Sequence, residues 1–283
     1  MQSKHGDKVG HLIVSIRIYK SMYNNSNKGS FRSRRPEPKE DNQLIYGIRP
    51  IMEAILAGKE VDRLFICRGA KGELMGELKE LLTQKNIPWT EVPIEKLHRL
   101  TRNNHQDVVC YISSITYNSI TDIVPFIFEK GEVPLILILD RITDVRNFGA
   151  IARTAECSGV HAIVIPSRGA AQVTADAIKT SAGALSKIPI CRETNLRKTV
   201  DYLKESGIKV VAASEKGVEE YFKGDFTGPL AIVMGSEEDG VSNELIKCAD
   251  ELLRIPLAGT ISSLNVSVAC GVILYEAIRQ RSK

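Results

Sequence analysis

Three stretches of this chain combine side chains able to act on a substrate with glycines that would let one approach. The first, residues 140–159, reads DRITDVRNFGAIARTAECSG and sets Arg153 inside a segment kept slim by Gly149, Ala150, Ala152 and Ala155. Packing gives no reason for a cation there. A guanidinium is always charged and presents a planar fork, which suits a phosphate or a developing negative charge. Asn147 stands where the helix should be capped and Gly159 where it should stop. The second stretch, residues 232–240, is IVMGSEEDG, a buried-type strand that runs into Gly235 and then Glu237, Glu238 and Asp239. In the third, residues 254–281, a short strand leads into a loop of Gly, Thr and Ser. That loop carries Ser263 and Leu264, and Asn265 follows as the cap of an apolar helix with Gly271 inside it. A helix-interior glycine costs about 1 kcal/mol relative to alanine, so Gly271 implies tight packing against another segment. Taken singly, the stretches also fit a crossover helix, an acidic turn and a C-terminal core helix.

Hydrophobic periodicity supplies the elements that must position these residues. From residue 44 it predicts helix 48–57, strand 61–67, helix 71–85, strand 87–92, a short helix 94–100 and strand 108–114. Residues 113–124 are rich in Ser and Asn and read as a linker. A second series starts near Pro134 with strand 135–140. It continues as helix 148–158, strand 161–166, helices 172–182 and 195–206, strands 208–213 and 230–234, helix 242–248, strand 252–255 and helix 265–281. Alternating strands and helices imply an α/β fold, and the chain is long enough for two domains. The expected boundaries are a disordered basic tail over 1–42, a first domain over 43–115, a linker over 116–130 and a second domain over 131–283.

Apolar residues make up 43% and charged residues 25% of the 283 residues, ordinary values for a soluble globular protein. No apolar run approaches the roughly 20 residues that cross a bilayer, so no membrane span is expected. The six cysteines are scattered singly, without metal-ligand spacing. They read as free thiols of a reducing cytoplasm, with no metal site. Residues 1–42 hold nine Lys/Arg against four Asp/Glu, leaving 29 against 30 in the other 241 residues. Nucleic-acid binding by the body would therefore need a local basic cluster. Lys96, Arg99, Arg102 and His105, with His98, Asn103 and Asn104 among them, form the one compact candidate. Within the tail, the apolar stretch 11–19 could belong to a transit peptide, and Met22 could equally be the true start. Neither the GxGxxG turn of a dinucleotide site nor the GxxxxGK[ST] loop of a nucleotide triphosphatase occurs.

In this order the three stretches closely resemble the three motifs of the SpoU/TrmH branch of the SPOUT methyltransferases. The motif of Asn, five residues, then Arg matches Asn147 and Arg153. The Gly-x-Glu turn matches Gly235 and Glu237, and the run Ser-Leu-Asn-Val-Ser-Val matches residues 263–268. The part before the motifs, beginning at Tyr46-Gly47-Ile48 and including His105-Gln106, resembles the L30e-like accessory domain of the enzymes that methylate guanosine riboses in 23S rRNA. Val145 stands where proline is usual, and Asp107 where glycine often follows His-Gln.

The resemblance implies S-adenosylmethionine-dependent 2′-O-methylation of a ribose in rRNA and an L30e-like RNA-binding domain followed by a SPOUT domain. It also implies a deep trefoil knot and a homodimer with the site near the subunit interface. By resemblance, Gly235, Ile255, Leu257 and Leu264 would hold the cofactor, while Asn147, Glu237, Ser263 and Asn265 would shape the site beside it. Arg153 is the family's usual general base. A guanidinium that stays protonated better grips the target phosphate and stabilises the developing alkoxide, leaving the proton acceptor open. Two alternatives stay in play: the same chemistry aimed at tRNA, and a non-catalytic rRNA-binding protein.

Overall fold

The computed structural model describes residues 44–282; the tail expected over 1–42, with its targeting and start-site readings, lies outside them. The first sheet has four strands, β1 (Leu44–Tyr46), β2 (Val61–Cys67), β3 (Thr90–Val92) and β4 (Val108–Ile112), in the order β1-β4-β2-β3. β4 is antiparallel to both neighbours and β3 is parallel to β2. Alternation along β2 explains its two covered faces. Leu64 and Ile66 point to α1 (Ile48–Leu56) and α2 (Glu73–Gln84), meeting Ile51, Ile55, Met75, Leu78 and Leu82. Phe65, between them, joins Leu97 of α3 (Ile94–Leu100) on the opposite face. The strand expected over 87–92 is confined to its last three residues, because Ile87 and Trp89 instead pack against the α1–α2 cluster.

Residues 116–130, expected as a linker, are built into the second unit of structure. Asn118 continues the edge of the larger sheet, with its N–H donating to the Ile190 carbonyl and its carbonyl accepting from Arg192. α4 (Ile120–Glu129) follows, its first amide bonded to Glu193 Oε1 at 2.9 Å. Ile120, Val124 and Ile127 recur at helical spacing and are buried, so this stretch is held by the core.

The larger sheet is entirely parallel. Its strands β5 (Leu135–Leu139), β6 (Ala162–Pro166), β7 (Ile190–Glu193), β8 (Lys209–Ala213), β9 (Glu219–Glu220), β10 (Leu230–Met234) and β11 (Glu251–Arg254) stand in the order β7-β6-β5-β10-β8-β11-β9. β5 and β10 read LILIL and LAIVM and are buried at every position, as parallel strands covered on both faces must be. α5 (Val145–Cys157), α6 (Ala175–Thr180) and α9 (Val266–Arg281) cover one face. The other face is covered by α4, α7 (Leu196–Glu205) and α8 (Asn243–Cys248). The short edge strand β7 went unanticipated, and the helix expected over 172–182 is cut to α6, which Thr174 caps. Among the described residues no helix is long and apolar enough to cross a membrane. Cys110, Cys191, Cys248 and Cys270 are buried, and burial pushes the thiols of Cys110, Cys191 and Cys270 up to about 12.

Candidate active site

The chain leaves β5 toward β6 and β7 on one side, while β10 lies on its other side, so the loops after β5 and β10 part from each other. In parallel α/β sheets such a divergence at the carboxyl edge is where ligands bind. The loop after β10 turns sharply: Ser236 and Gly240 exchange both backbone hydrogen bonds, and Ser236 Oγ accepts from the Asp239 N–H at 3.1 Å. A Cβ on Gly235 would collide with the Gly240 carbonyl and the Val241 nitrogen, so only glycine fits at the root of this turn.

A buried acid and an arginine fasten the turn to β5. Asp140, directly after β5, accepts from the Ser242 N–H at 2.7 Å and from Arg141 Nε at 3.1 Å. Arg141 also donates to Asp239 Oδ2 at 3.0 Å and to the Gly240 carbonyl at 3.1 Å. Its backbone has φ 60°, a left-handed conformation costing of order 1 kcal/mol or more for a residue with a Cβ. These bonds hold it there. Neither residue was among the site residues expected from sequence, although a charged Asp directly after the apolar run LILIL was a usable signal.

The N-cap of α5 is Asp144, not Asn147 as expected: its carboxylate accepts from the Arg146 and Asn147 amides, both at 2.8 Å. An acid at the positive end of the helix dipole gains from charge as well as from hydrogen bonding. Val145 therefore occupies the first helical position, where proline is favoured. The capping by Asp144 frees the Asn147 side chain. Its Nδ2 donates to Glu237 Oε1 at 2.9 Å, and its Oδ1 accepts from Asn265 Nδ2 at 3.0 Å. Asn265 Nδ2 also lies 2.7 Å from Glu237 Oε1. Asn265 does cap α9, its Oδ1 accepting from the Ser267 N–H at 3.0 Å. Asn147, Glu237 and Asn265, from three distant parts of the chain, thus form one hydrogen-bonded cluster.

Two clefts flank the cluster and share Ser236, Glu237, Glu238, Asp239 and Val266. One, of about 350 Å³, holds every expected cofactor residue, Gly235, Ile255, Leu257 and Leu264, together with Ser263. Its apolar floor includes Met234, Leu253 and Ala269, while Ser214 and Glu215 add polar groups that sequence reasoning did not single out. The other, of about 320 Å³, lies between Asn147, Asp144, Arg141 and Gly169.

Arg153 is not brought to either cleft of its own chain. It is exposed on α5, six residues and more than one and a half turns beyond Asn147, and its side chain makes no hydrogen bond or ion pair among the described residues. Of the two close approaches expected, the one at the slim segment of α5 is present, where a Cβ on Gly149 would lie 2.8 Å from Thr180 Cβ, whereas Gly271 has only Thr154 Cγ2, at 3.7 Å.

In the smaller sheet's domain, Lys96, Arg99 and Arg102 are exposed, with Lys96 Nζ 4.4 Å from the centre of the Phe65 ring. His105, expected to contact RNA, is buried. Its Nδ1 accepts from the Asp107 N–H at 3.1 Å, inside a tight turn where Gln106 and Asp107 have φ 49° and 64°. A left-handed turn explains why glycine is frequent at the position of Asp107, and Asp is one of the few other residues that tolerate it. Gln106 Oε1 accepts from the Ile48 N–H at 3.1 Å, supplying the first turn of α1 with the cap that Gly47 lacks.

Comparison with known proteins extends over almost all of the described chain. Residues 134–275 match the SpoU rRNA Methylase family, and residues 44–118 match the family described as RNA 2′-O ribose methyltransferase substrate binding. The 23S rRNA (guanosine-2′-O-)-methyltransferase RlmB of Vibrio vulnificus is 36% identical, over 85% of this chain and 98% of that protein. Among solved structures, the SpoU methyltransferase AviRb from Streptomyces viridochromogenes, in complex with AdoMet, has a TM-score of 0.54 and 28% identity, covering 84% of this chain and 90% of that one. An AdoMet-bound rRNA methyltransferase from Sinorhizobium meliloti has a TM-score of 0.54 and 27% identity, covering 83% and 86%.

Proposed function

This chain belongs to the SpoU rRNA methylase family, and from that membership we propose that it methylates the 2′-hydroxyl of a guanosine ribose in 23S rRNA, using S-adenosylmethionine. The observation that carries the reading is the Asn147–Glu237–Asn265 cluster between two clefts at the carboxyl edge of the parallel sheet. The larger cleft suits the cofactor. Its apolar floor would take an adenine, and Glu215, Glu237, Glu238 and Asp239 would face the cationic sulfonium and ammonium groups. S-adenosylmethionine supplies an electrophilic methyl group.

What the chain must supply is alignment of the ribose oxygen and relief for its charge as the proton leaves. Asn147 and Asn265 both donate to the same oxygen of Glu237, so the carboxylate is held in one orientation at the junction of the clefts. The arginine staple at Arg141 keeps the turn that bears Glu237 fixed to β5. Arg153 is assigned the target phosphate, which it grips as a charged fork.

The same reading includes a homodimer and a trefoil knot. Val268 and Tyr275 are exposed one heptad apart on α9, beside the exposed Leu264, a face suited to a second copy. Such a dimer would give Arg153, remote from the clefts of its own chain, a route to those of its partner. Support for the knot is the close passage of Gly217 beneath residues 252–254, where a Cβ would lie 2.8 Å from the Leu252 carbonyl. Residues 43–115 are assigned the grip on RNA.

The test is methyl transfer from labelled S-adenosylmethionine to a 23S rRNA transcript, with the modified ribose mapped, for the native chain and Arg153→Ala. Transfer at one guanosine, abolished in Arg153→Ala with cofactor affinity kept within a few-fold, is the expected result. Transfer to tRNA alone, or cofactor-independent RNA binding without transfer, would overturn it.

A further inference from the structure

The surface between the four-stranded domain and the larger sheet is held by polar contacts. Arg192, on the edge strand β7, has a side chain only 15% exposed. Its guanidinium donates to the Val61 carbonyl at 2.6 Å, lies 3.7 Å from Glu60 Oε2 and stacks 4.1 Å from the centre of the Tyr117 ring. Tyr117, in the connecting segment, donates its hydroxyl to Asp62 Oδ1 at 2.9 Å. Burial, followed by the charge of Asp62, pushes the Tyr117 hydroxyl well up, so it keeps its proton and remains the donor. Gln172 sits close enough to favour the Asp62 carboxylate, while its buried Nε2 lacks a well-formed hydrogen bond. Arg63 completes the seam by donating to the Ala170 carbonyl at 3.0 Å.

Two features make this more than a tether. The connecting backbone is hydrogen-bonded along β7 through Asn118, so the segment between the domains has no slack at that point. The groups on the far side of the seam, Ala170 and Gln172, belong to the loop after β6 that also carries Gly169, which lines the smaller cleft. Between them in that loop, Ala171 bonds the Ile142 carbonyl in the cleft wall. The contact between domains and the wall of the smaller cleft, which adjoins the proposed cofactor cleft, are therefore one continuous piece of chain.

We propose that Arg192 is a positioning residue: acting through Tyr117, Glu60 and the Val61 carbonyl, it docks the four-stranded domain against the cleft wall and so fixes which ribose of a held RNA reaches the cleft. The inference rests on the reading of that domain as the RNA grip. A guanidinium suits the role because one planar group serves a ring, a carboxylate and a carbonyl at once. Lysine keeps the charge but lacks the planar fork that reaches all three partners at once.

The full chain is compared with Arg192→Ala, Arg192→Lys and Tyr117→Phe. Three quantities are measured: S-adenosylmethionine affinity, small-angle X-ray scattering, and steady-state methylation of a 23S rRNA transcript. Arg192→Ala should bind the cofactor within about twofold of the native chain and scatter as a more extended particle. Its kcat should fall about tenfold to a hundredfold while RNA affinity stays within about threefold, because the ribose is misaligned while the grip on RNA is kept. Arg192→Lys should recover part of kcat, and Tyr117→Phe should lose less than Arg192→Ala. Unchanged scattering in Arg192→Ala would overturn the docking, and extended scattering with native kcat would overturn its role in positioning. A native chain that fails to methylate the transcript would remove the functional reading instead, and the scattering comparison would still decide the docking.

Discussion

The carboxyl edge of the seven-stranded sheet and the basic segment 94–105 of the four-stranded domain were both picked out by residue type, and they behave oppositely in three dimensions. At the edge, Asn147, Glu237 and Asn265 lie far apart in sequence yet share hydrogen bonds of 2.7–3.0 Å. In the basic segment, residues within ten positions of one another part company: Lys96 leans on Phe65, Arg99 and Arg102 face outward, and His105 is buried in its own turn. A parallel sheet delivers the ends of all its strands to one edge, so residues just past a strand converge whatever their separation. A helix as short as α3 turns successive side chains through about 100° each, so a cluster in sequence need not be one in space.

Substitutions can break that contrast or sharpen it. Gly235→Ala should act most strongly. Overpacking of at least about 1–3 kcal/mol is expected from a Cβ set against the backbone of Gly240 and Val241. Calorimetry should show a lower Tm, and titration should show loss of cofactor binding; native values for both would mean that the turn is looser than described. Asn265→Ala comes next. It removes the α9 cap and two hydrogen bonds of the cluster, so methyl transfer should fall by roughly 1–3 kcal/mol, about five- to 150-fold. Glu237→Ala should lose a similar amount, and since the cluster acts as a unit the double variant should lose less than the sum. Additive losses would show the residues to be independent.

For the basic segment, reversing the charge of Arg99 and Arg102 should weaken rRNA binding and take roughly 0.7–0.9 off the salt slope for each phosphate no longer neutralised. His105→Ala should leave that slope alone and lower stability by about 1 kcal/mol, because its ring supports a turn. The reverse result would return His105 to the RNA surface.

The smallest effect belongs to Asp62, within the seam between the regions. Burial outweighs the hydrogen bond from Tyr117 and the nearby arginines, raising the Asp62 carboxyl above its usual range. A raised folded-state pKa contributes stability that is complete below the unfolded value and lost as pH rises through the folded one. At neutral pH Asp62 is therefore a cost. Asp62→Asn, still able to accept from Tyr117, should raise Tm slightly at pH 7, and the gain should shrink as pH falls through the carboxylate range. A Tm difference independent of pH would contradict this.

The sequence alone determined the alternation of strands and helices, the buried strands β5 and β10 and the cap at Asn265, and its resemblance to a family pointed to Gly235, Ile255, Leu257 and Leu264 of the larger cleft. These are written in local periodicity and in motifs that sit directly after strands, where position in sequence fixes position in space. Only the tertiary structure decided that Asp144 rather than Asn147 caps α5, since two acceptors within reach of one helix end are told apart by where the third partner, Glu237, lies. It likewise decided that residues 116–130 join the core, because the edge of β7 offers unpaired backbone groups that no local pattern reveals. The staple at Arg141, the burial of His105 and the seam at Arg192 have the same origin. Each depends on a charge or ring meeting groups up to 131 residues away, and such meetings are set by how the layers pack.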